Sequence, residues 1–458
     1  MAANLATTLP EKNPLSAALE RLFRVFGDVR SGETITVLLL LLNIFLILTG
    51  YYICKTVREV LILLSGGAEL KSYTAGVIAL LLMGFVPLYS WFSSQVNRAR
   101  LVLGVTLFFI LNLELFCLGA RMRVPYLEIA FFIWVAIFNN AIIAQFWSYG
   151  NDLYRSETGE RLFPVIAIGS TLGAPVGAAL AAWFFKRQIP AYRMLHITAV
   201  FLLLSMAAYW LVEQRERKYQ PRVVSAKLTR GVGGFTLLAQ SRYLWLICLL
   251  LLLLNLVNTT GQYVLDHTVM AEVARRFALD PTFNKEAFTG AFYGDYFFWG
   301  NVVAILVQSL VASRIVKYLG VAGALLALPV VALSSYGLVA AAGVTLAAIR
   351  FAKIAENGSD YSIMNTARQM LWLPTSRDEK YKAKQAADTF IVRTGDLLSA
   401  GLVFVGTHLL HFGLFRFASA NVLLCALWLG VGVLLIREYR ARTTQGHSQQ
   451  RIPGFPPV

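Results

Sequence analysis

Runs of apolar residues, each close to the roughly 20 residues a helix needs to cross a bilayer, set the limits on what this chain can become. Twelve can be marked, at about 34–60, 72–94, 99–119, 125–150, 162–185, 193–212, 243–265, 288–311, 319–339, 342–365, 385–408 and 414–436. Hydrocarbon offers no water to an unpaired peptide group, so lipid-facing runs of this kind must satisfy their backbone internally as helices. Only 14% of the 458 residues are charged, against about 25% in globular proteins. The expected fold is an all-α polytopic membrane protein with twelve transmembrane helices.

Charge placement orients the spans. With both termini inside, most of the 41 Lys and Arg residues fall in inner segments, as the positive-inside rule requires. The net charge of +16 is therefore a topology signal, with contact to anionic lipids as a secondary effect. Nucleic acid is not an expected partner. Arg215, Arg217, Lys218, Arg222, Lys227 and Arg230 lie in one long middle segment, which divides the spans into two pseudo-symmetric six-helix halves. The plan is a cytoplasmic N-terminal segment (1–32), an N-terminal half (33–212), a basic cytoplasmic linker (213–241), a C-terminal half (242–437) and a disordered cytoplasmic tail (438–458). Acids and prolines punctuate the first 30 residues, so no cleavable leader is expected. Two such halves suit a carrier that rocks about a central site.

Within the apolar frame a few charges demand explanation. Lys55, Arg58 and Glu59 fall at i, i+3 and i+4 and so share one helix face. A charge at mid-bilayer depth costs about 2.5–3.5 kcal/mol even on lenient insertion scales, so that face must look at protein or at a water-filled cavity. Arg350, Lys353 and Asn357 form a second stripe on span ten, and Arg393 with Asp396 a third. Five deep cations suggest coordination of an anion, with Arg suited to bidentate phosphate contact and Lys to a point charge. An internal lock of ion pairs is the competing explanation. Asn139 and Asn140, followed by Gln145, Trp147 and Tyr149, offer amides and rings to a purine or hydrogen bonds to neighbouring helices.

Other chemistry is poorly supported. There is no phosphate-binding loop of the nucleotide-hydrolase type, no HExxH and no GxSxG, so no enzyme and no cofactor are expected. Cys54, Cys117, Cys248 and Cys425 stand singly in apolar stretches and read as buried thiols, with no CxxC or Cys/His cluster to hold a metal. His408 and His411 read as a helix-end pair. Gly169, Gly173 and Gly177 permit close helix approach.

Several motifs together resemble one family. Lys55-Thr56-Val57-Arg58-Glu59-Val60-Leu61 precedes Gly67-Ala68-Glu69; Asp360-Tyr361-Ser362 precedes Arg368-Gln369-Met370 and Pro374; Lys380, Lys382 and Lys384 lead to Ala386 and Asp388. With the turn from Glu157 to Pro164, these resemble the ATP/ADP translocases of plastids and intracellular bacteria, nucleotide transporters related to the major facilitator superfamily. The resemblance implies a major-facilitator-like fold and nucleotide exchange. It also implies that Lys55, Arg58, Asp266 and Lys384 occupy positions of charged residues important for exchange. Thr56, Asp360, Asn365 and Gln369 depart from the family's charges.

The expected function is thus secondary transport, exchanging ATP and ADP by alternating access as a monomer in a bacterial inner membrane. Lys55, Arg58, Arg350 and Lys353 would hold phosphates with help from Arg393, while Asn139, Asn140 and nearby aromatics would meet the base. Glu59 and Asp360 would pair with the cations in the empty site. Transport of another organic anion, such as a phosphorylated metabolite or lipid headgroup, and a non-transporting scaffold or sensor are the alternatives.

Overall fold

The computed structural model describes residues 29, 33–95, 98–154, 156–216, 234–376 and 379–449. Among them every regular element is helical. The first group comprises α1 (Thr34–Gln95), α2 (Arg98–Arg121), α3 (Leu127–Leu153), α4 (Ser156–Lys186) and α5 (Ala191–Glu216). A short α6 (Gly234–Gln240) leads into the second group: α7 (Arg242–Leu279), α8 (Lys285–Val307), α9 (Ser313–Ala342), α10 (Leu346–Ser359), α11 (Asn365–Met370), α12 (Lys384–Ala386), α13 (Val392–Phe404) and α14 (Leu414–Gln449). Single π-helical segments link several of the later elements, including Asp360–Met364 after α10.

At 62 residues, α1 drawn straight would run about 93 Å at 1.5 Å per residue, roughly three times a bilayer's hydrocarbon core. It does not run straight. Gly66 leaves helical geometry and Gly67 takes φ +70°, a left-handed backbone that glycine alone adopts without penalty. The consequence is visible in the side chains. Lys71 lies 2.5 Å from Glu59, although twelve residues of straight helix would separate them by about 18 Å. The chain has therefore reversed, so the two expected spans are one helix folded back on itself. Gly320, at φ +64°, breaks α9 in the same way.

Among the described residues nine helical stretches are long and apolar enough to cross a membrane, and two of them, Thr34–Tyr89 and Lys285–Ala342, contain these glycine breaks. The expected tenth span is not among the nine. Its helix, α10, buries Lys353, Glu356 and Asn357, and that polarity removes it from any count by hydropathy. Beyond the expected end of span twelve, α14 continues to Gln449. Reading a disordered tail from residue 438 is corrected to that extent, because Arg437 to Gln445 contains no glycine or proline to stop the helix. The linker's residues 217–233, the N-terminal 1–28 and the end beyond 449 lie outside the described residues.

Close packing follows the small residues. A Cβ on Gly173 of α4 would stand 2.6 Å from the Phe45 carbonyl oxygen of α1, and Gly169 and Gly177 press on the Leu41 and Thr49 carbonyls in the same manner. The two groups join through α4 against α8, where Gly294 meets the backbone of Ala182, and through α1 against α13, where Gly76 meets Ala400. All four cysteines are free and buried. Leucines on the outer surfaces, such as Leu80, Leu111, Leu115 and Leu203, face outward as a lipid solvent allows.

Candidate functional site

The deepest charges form one chain of contacts between the two groups. Arg58 donates to Glu59 at 2.6 Å. Lys71, just past the glycine break, lies 2.5 Å from Glu59 and 2.7 Å from Asp266 of α7. Asp266 also accepts from Gln262 at 2.8 Å and from the Tyr293 hydroxyl of α8. Glu59 and Asp266 are each only 2% exposed. Two cations and two carboxylates sum to zero, the balance a water-poor interior requires, since an unpaired buried charge costs several kcal/mol. Lys71 is the hinge of the arrangement, and span-by-span reading missed it because it falls between two apolar runs, beside the family-like Gly67-Ala68-Glu69.

Lys55 sits one helical turn before Glu59 and is held differently. Its Nζ lies 4.3 Å from the Phe297 ring centre and 5.0 Å from that of Tyr52. The Tyr52 hydroxyl in turn donates to Asn301 of α8 at 3.2 Å. Among the described residues Lys55 has no carboxylate partner. Arg350 repeats the theme, its guanidinium 5.2 Å from the Phe292 ring centre, also with no ion pair among the described residues. Aromatic faces hold a cation by quadrupole attraction worth about 0.5–2 kcal/mol, without neutralising it. Both charges therefore remain available to an anion.

The common support is α8. Its run Phe292-Tyr293-Gly294-Asp295-Tyr296-Phe297 presents rings at i, i+1, i+4 and i+5. Tyr293 binds Asp266, Tyr296 donates to Gln262 at 3.3 Å and accepts from Asn357 at 2.7 Å, and Phe292 and Phe297 cover Arg350 and Lys55. The doubled aromatic spacing was the signal that could have found these residues.

The other expected positions divide. Lys353 is wholly buried and fully engaged: it donates to the Asn258 side chain at 2.6 Å, to the Asn258 carbonyl at 3.0 Å and to Glu356 at 2.9 Å. Tyr336 completes this group by donating to Glu356 at 2.5 Å. Arg393 lies 3.4 Å from Asp396, which accepts from Thr259 at 3.2 Å, and Lys384 donates to Gln369 at 2.6 Å. Asp360 does not pair with a cation among the described residues, and its Oδ1 is buried without a hydrogen bond. Asn140 donates to the Ala136 carbonyl of its own helix at 2.8 Å, and the Asn139 Oδ1 is unpartnered. Gln145 and Tyr149 line a crevice of about 20 Å³ between α1, α2, α3 and α5, with Tyr149 donating to Glu213 at 3.3 Å. The structure thus brings Lys55, Arg58, Glu59 and Asp266 together, rests Arg350 of α10 against the same aromatic helix α8, and sets Lys353, Arg393, Lys384, Gln145 and Tyr149 in separate local contacts.

Polar contacts joining the two groups gather toward the end of the bundle marked by Gly66 and Lys186. Besides Lys71–Asp266 they include Lys186–Asp295 at 2.8 Å, Tyr73–His408 at 3.0 Å, and the Ala191 amide to Glu286. His408 is therefore part of the join rather than a bare helix end. At the opposite end, contacts such as Arg161–Glu33 at 2.7 Å and Tyr243 to the Leu371 carbonyl at 2.6 Å run within one group.

A multi-pass membrane bundle with its charges folded inward and its two groups clasped at one end has the architecture of major-facilitator-type transporters. Solved structures bear this out: the chain matches a bacterial homologue of the iron transporter ferroportin in an inward-facing state (TM-score 0.61, 15% identity, 89% of this chain and 99% of that one). It likewise matches the nucleoside transporter NupG (0.60, 13%, 89% and 99%) and a peptide transporter POT in complex with sulfate (0.64, 10%, 92% and 98%). No family model matches the chain. Among curated proteins it is similar to ADP,ATP carrier protein 1 of Chlamydia pneumoniae, 22% identical over 331 residues, 60% of each chain. It is also similar to ADP,ATP carrier protein 1 of Rickettsia prowazekii, 23% identical over 327 residues, 64% of this chain and 63% of that protein. The matched segments thus cover about three-fifths of those relatives' length.

Proposed function

We propose that the chain is a secondary carrier exchanging nucleotides, ATP against ADP, by alternating access in a bacterial inner membrane, with both termini cytoplasmic. The twelve-span reading follows if each glycine-broken helix crosses twice and α10 crosses despite its polarity. The observation that carries the proposal is Lys55: a deep cation steadied by two rings, with no carboxylate partner among the described residues, on the same helix face as Arg58 and Glu59. The names of the similar curated carriers support the same cargo.

The geometry suggests how loading and movement are coupled. A polyphosphate drawn to Lys55 arrives one turn from Glu59, attracts Arg58 and repels the carboxylate. The same anion competes with Glu59 and Asp266 for Lys71, and drawing Lys71 toward it breaks the bridge to Asp266. The clasp at the Gly66 end then opens. An empty carrier restores the neutral chain of charges, so it reorients slowly and exchange is favoured over net flow.

Proteoliposomes preloaded with ADP and given labelled ATP test this; absence of counterflow with every nucleotide pair would refute it. A second reading, another organic anion on the same fold, is favoured by Asp360, an acid where the resembling family keeps a lysine. Competition by inorganic polyphosphate or sugar phosphates as strong as that by nucleotides would support that reading over the first.

A further inference from the structure

Glu114, Cys117 and His196 lie on α2 and α5, helices that contribute nothing to the charged network. Glu114 and Cys117 are spaced i, i+3 and share a face. His196 meets them from α5, its Nδ1 2.8 Å from one carboxylate oxygen of Glu114 and 3.0 Å from the other. A carboxylate oxygen, the thiol sulfur and the ring nitrogen all lie within 4.8 Å of one another.

The surroundings make this unusual. Glu114 precedes the end of α2 by seven residues, about 10 Å. The 24-residue helix is about 36 Å long against a hydrocarbon core of about 30 Å, and Glu114 lies within its candidate membrane-crossing stretch Leu101–Arg121. Its neighbours Leu111, Leu115 and Leu118 are 55%, 60% and 51% exposed, so this is a lipid-facing surface. A charged side chain so placed marks a functional site by default. The imidazole neutralises the carboxylate only while protonated, and the Cys117 thiol, donating to the Tyr192 carbonyl at 3.3 Å, adds nothing to that balance.

We infer that Glu114, Cys117 and His196 bind a divalent cation of the zinc class, tying α2 to α5. The donor set selects that class. Zinc takes sulfur, nitrogen and carboxylate ligands at about 2.0–2.3 Å in a tetrahedron, with a fourth position left for water, whereas calcium wants six to eight oxygens. Charge selects it too. Carboxylate, thiolate and neutral imidazole carry two negative charges, and a dication brings the site to zero within the membrane-crossing stretch. Binding moves the Cys117 proton to solvent, along with the imidazole's proton where it carries one, since the thiolate is the ligand. This inference is independent of the carrier reading.

Cobalt(II) added to the purified full chain in detergent is the direct test. A thiolate-to-cobalt charge-transfer band is expected in the parent and in Cys425→Ser, removed by Cys117→Ser and displaced by zinc. His196→Ala should weaken binding at least about 10-fold, a loss seen when even an outer partner of a metal ligand is removed. As a second measurement, zinc should raise the unfolding temperature of the parent by mass action and leave Glu114→Gln unmoved. Absence of the band, a band that survives Cys117→Ser, or an equal zinc shift in Glu114→Gln would each overturn the site.

Discussion

Asp266→Asn isolates the clasp between the two groups. The substitution keeps the size of the side chain and much of its hydrogen bonding to Gln262 and Tyr293, but removes the carboxylate 2.7 Å from Lys71. What remains is Arg58, Lys71 and Glu59, a buried set with one net positive charge. Breaking a buried pair from one side costs about 3–5 kcal/mol. Because Lys71 keeps Glu59 at 2.5 Å, the lower figure applies, and about 3 kcal/mol is near a 150-fold change in an equilibrium. Only the clasped arrangement contains the lost contact, so the shift should favour opening at the Gly66 end. Alkylation of a reporter at Ala182→Cys reads it, since Ala182 is 2% exposed against Gly294 and the four natural cysteines are buried. The expected result is alkylation faster by two orders of magnitude, with nucleotide counterflow impaired. Glu272→Gln, which breaks an exposed pair with Arg275 and Arg276, should change nothing, as such pairs contribute at most about 1 kcal/mol. An unchanged alkylation rate in Asp266→Asn would show that the chain of charges does not hold the groups together.

Lys55→Gln should leave folding intact, because no carboxylate loses its partner, and lower nucleotide counterflow at least about tenfold by removing roughly 1.4 kcal/mol or more of charge attraction; normal half-saturation in proteoliposomes would remove Lys55 from the site. Lys353→Met should behave in the opposite sense, costing about 3–5 kcal/mol of stability by stranding Glu356, read as a fall in unfolding temperature. Pairing it with Glu356→Gln should recover part of that loss. Gly173→Val should force apart α1 and α4, where even a Cβ would lie 2.6 Å from the Phe45 oxygen, at a cost of about 1–3 kcal/mol; an unfolding temperature equal to the parent's would refute the contact.

What the sequence determined by itself is what lipid enforces locally. Runs of apolar residues must be helices, few charges can face hydrocarbon, and Gly169, Gly173 and Gly177 on one stripe announce a close neighbour. The family-like motifs at Lys55–Leu61 and around Asp360 pointed to the same fold that the structural likenesses show. Which charges meet was a tertiary matter. Helix periodicity put Lys55, Arg58 and Glu59 on one face, but the reversal at Gly66 and Gly67 delivered Lys71 to Glu59, and only the packing of α7 and α8 brought Asp266 and Tyr293 to Lys71. The same dependence divides Lys55 from Lys353: both are deep lysines in apolar spans, yet one rests on aromatic rings and the other is consumed by Asn258 and Glu356. Cys117 and His196, 79 positions apart, looked unrelated along the chain and become neighbours where α2 packs on α5. A chain's own period relates residues three or four apart, whereas the partner of a buried charge is chosen by which helices pack together, and that choice belongs to the whole bundle.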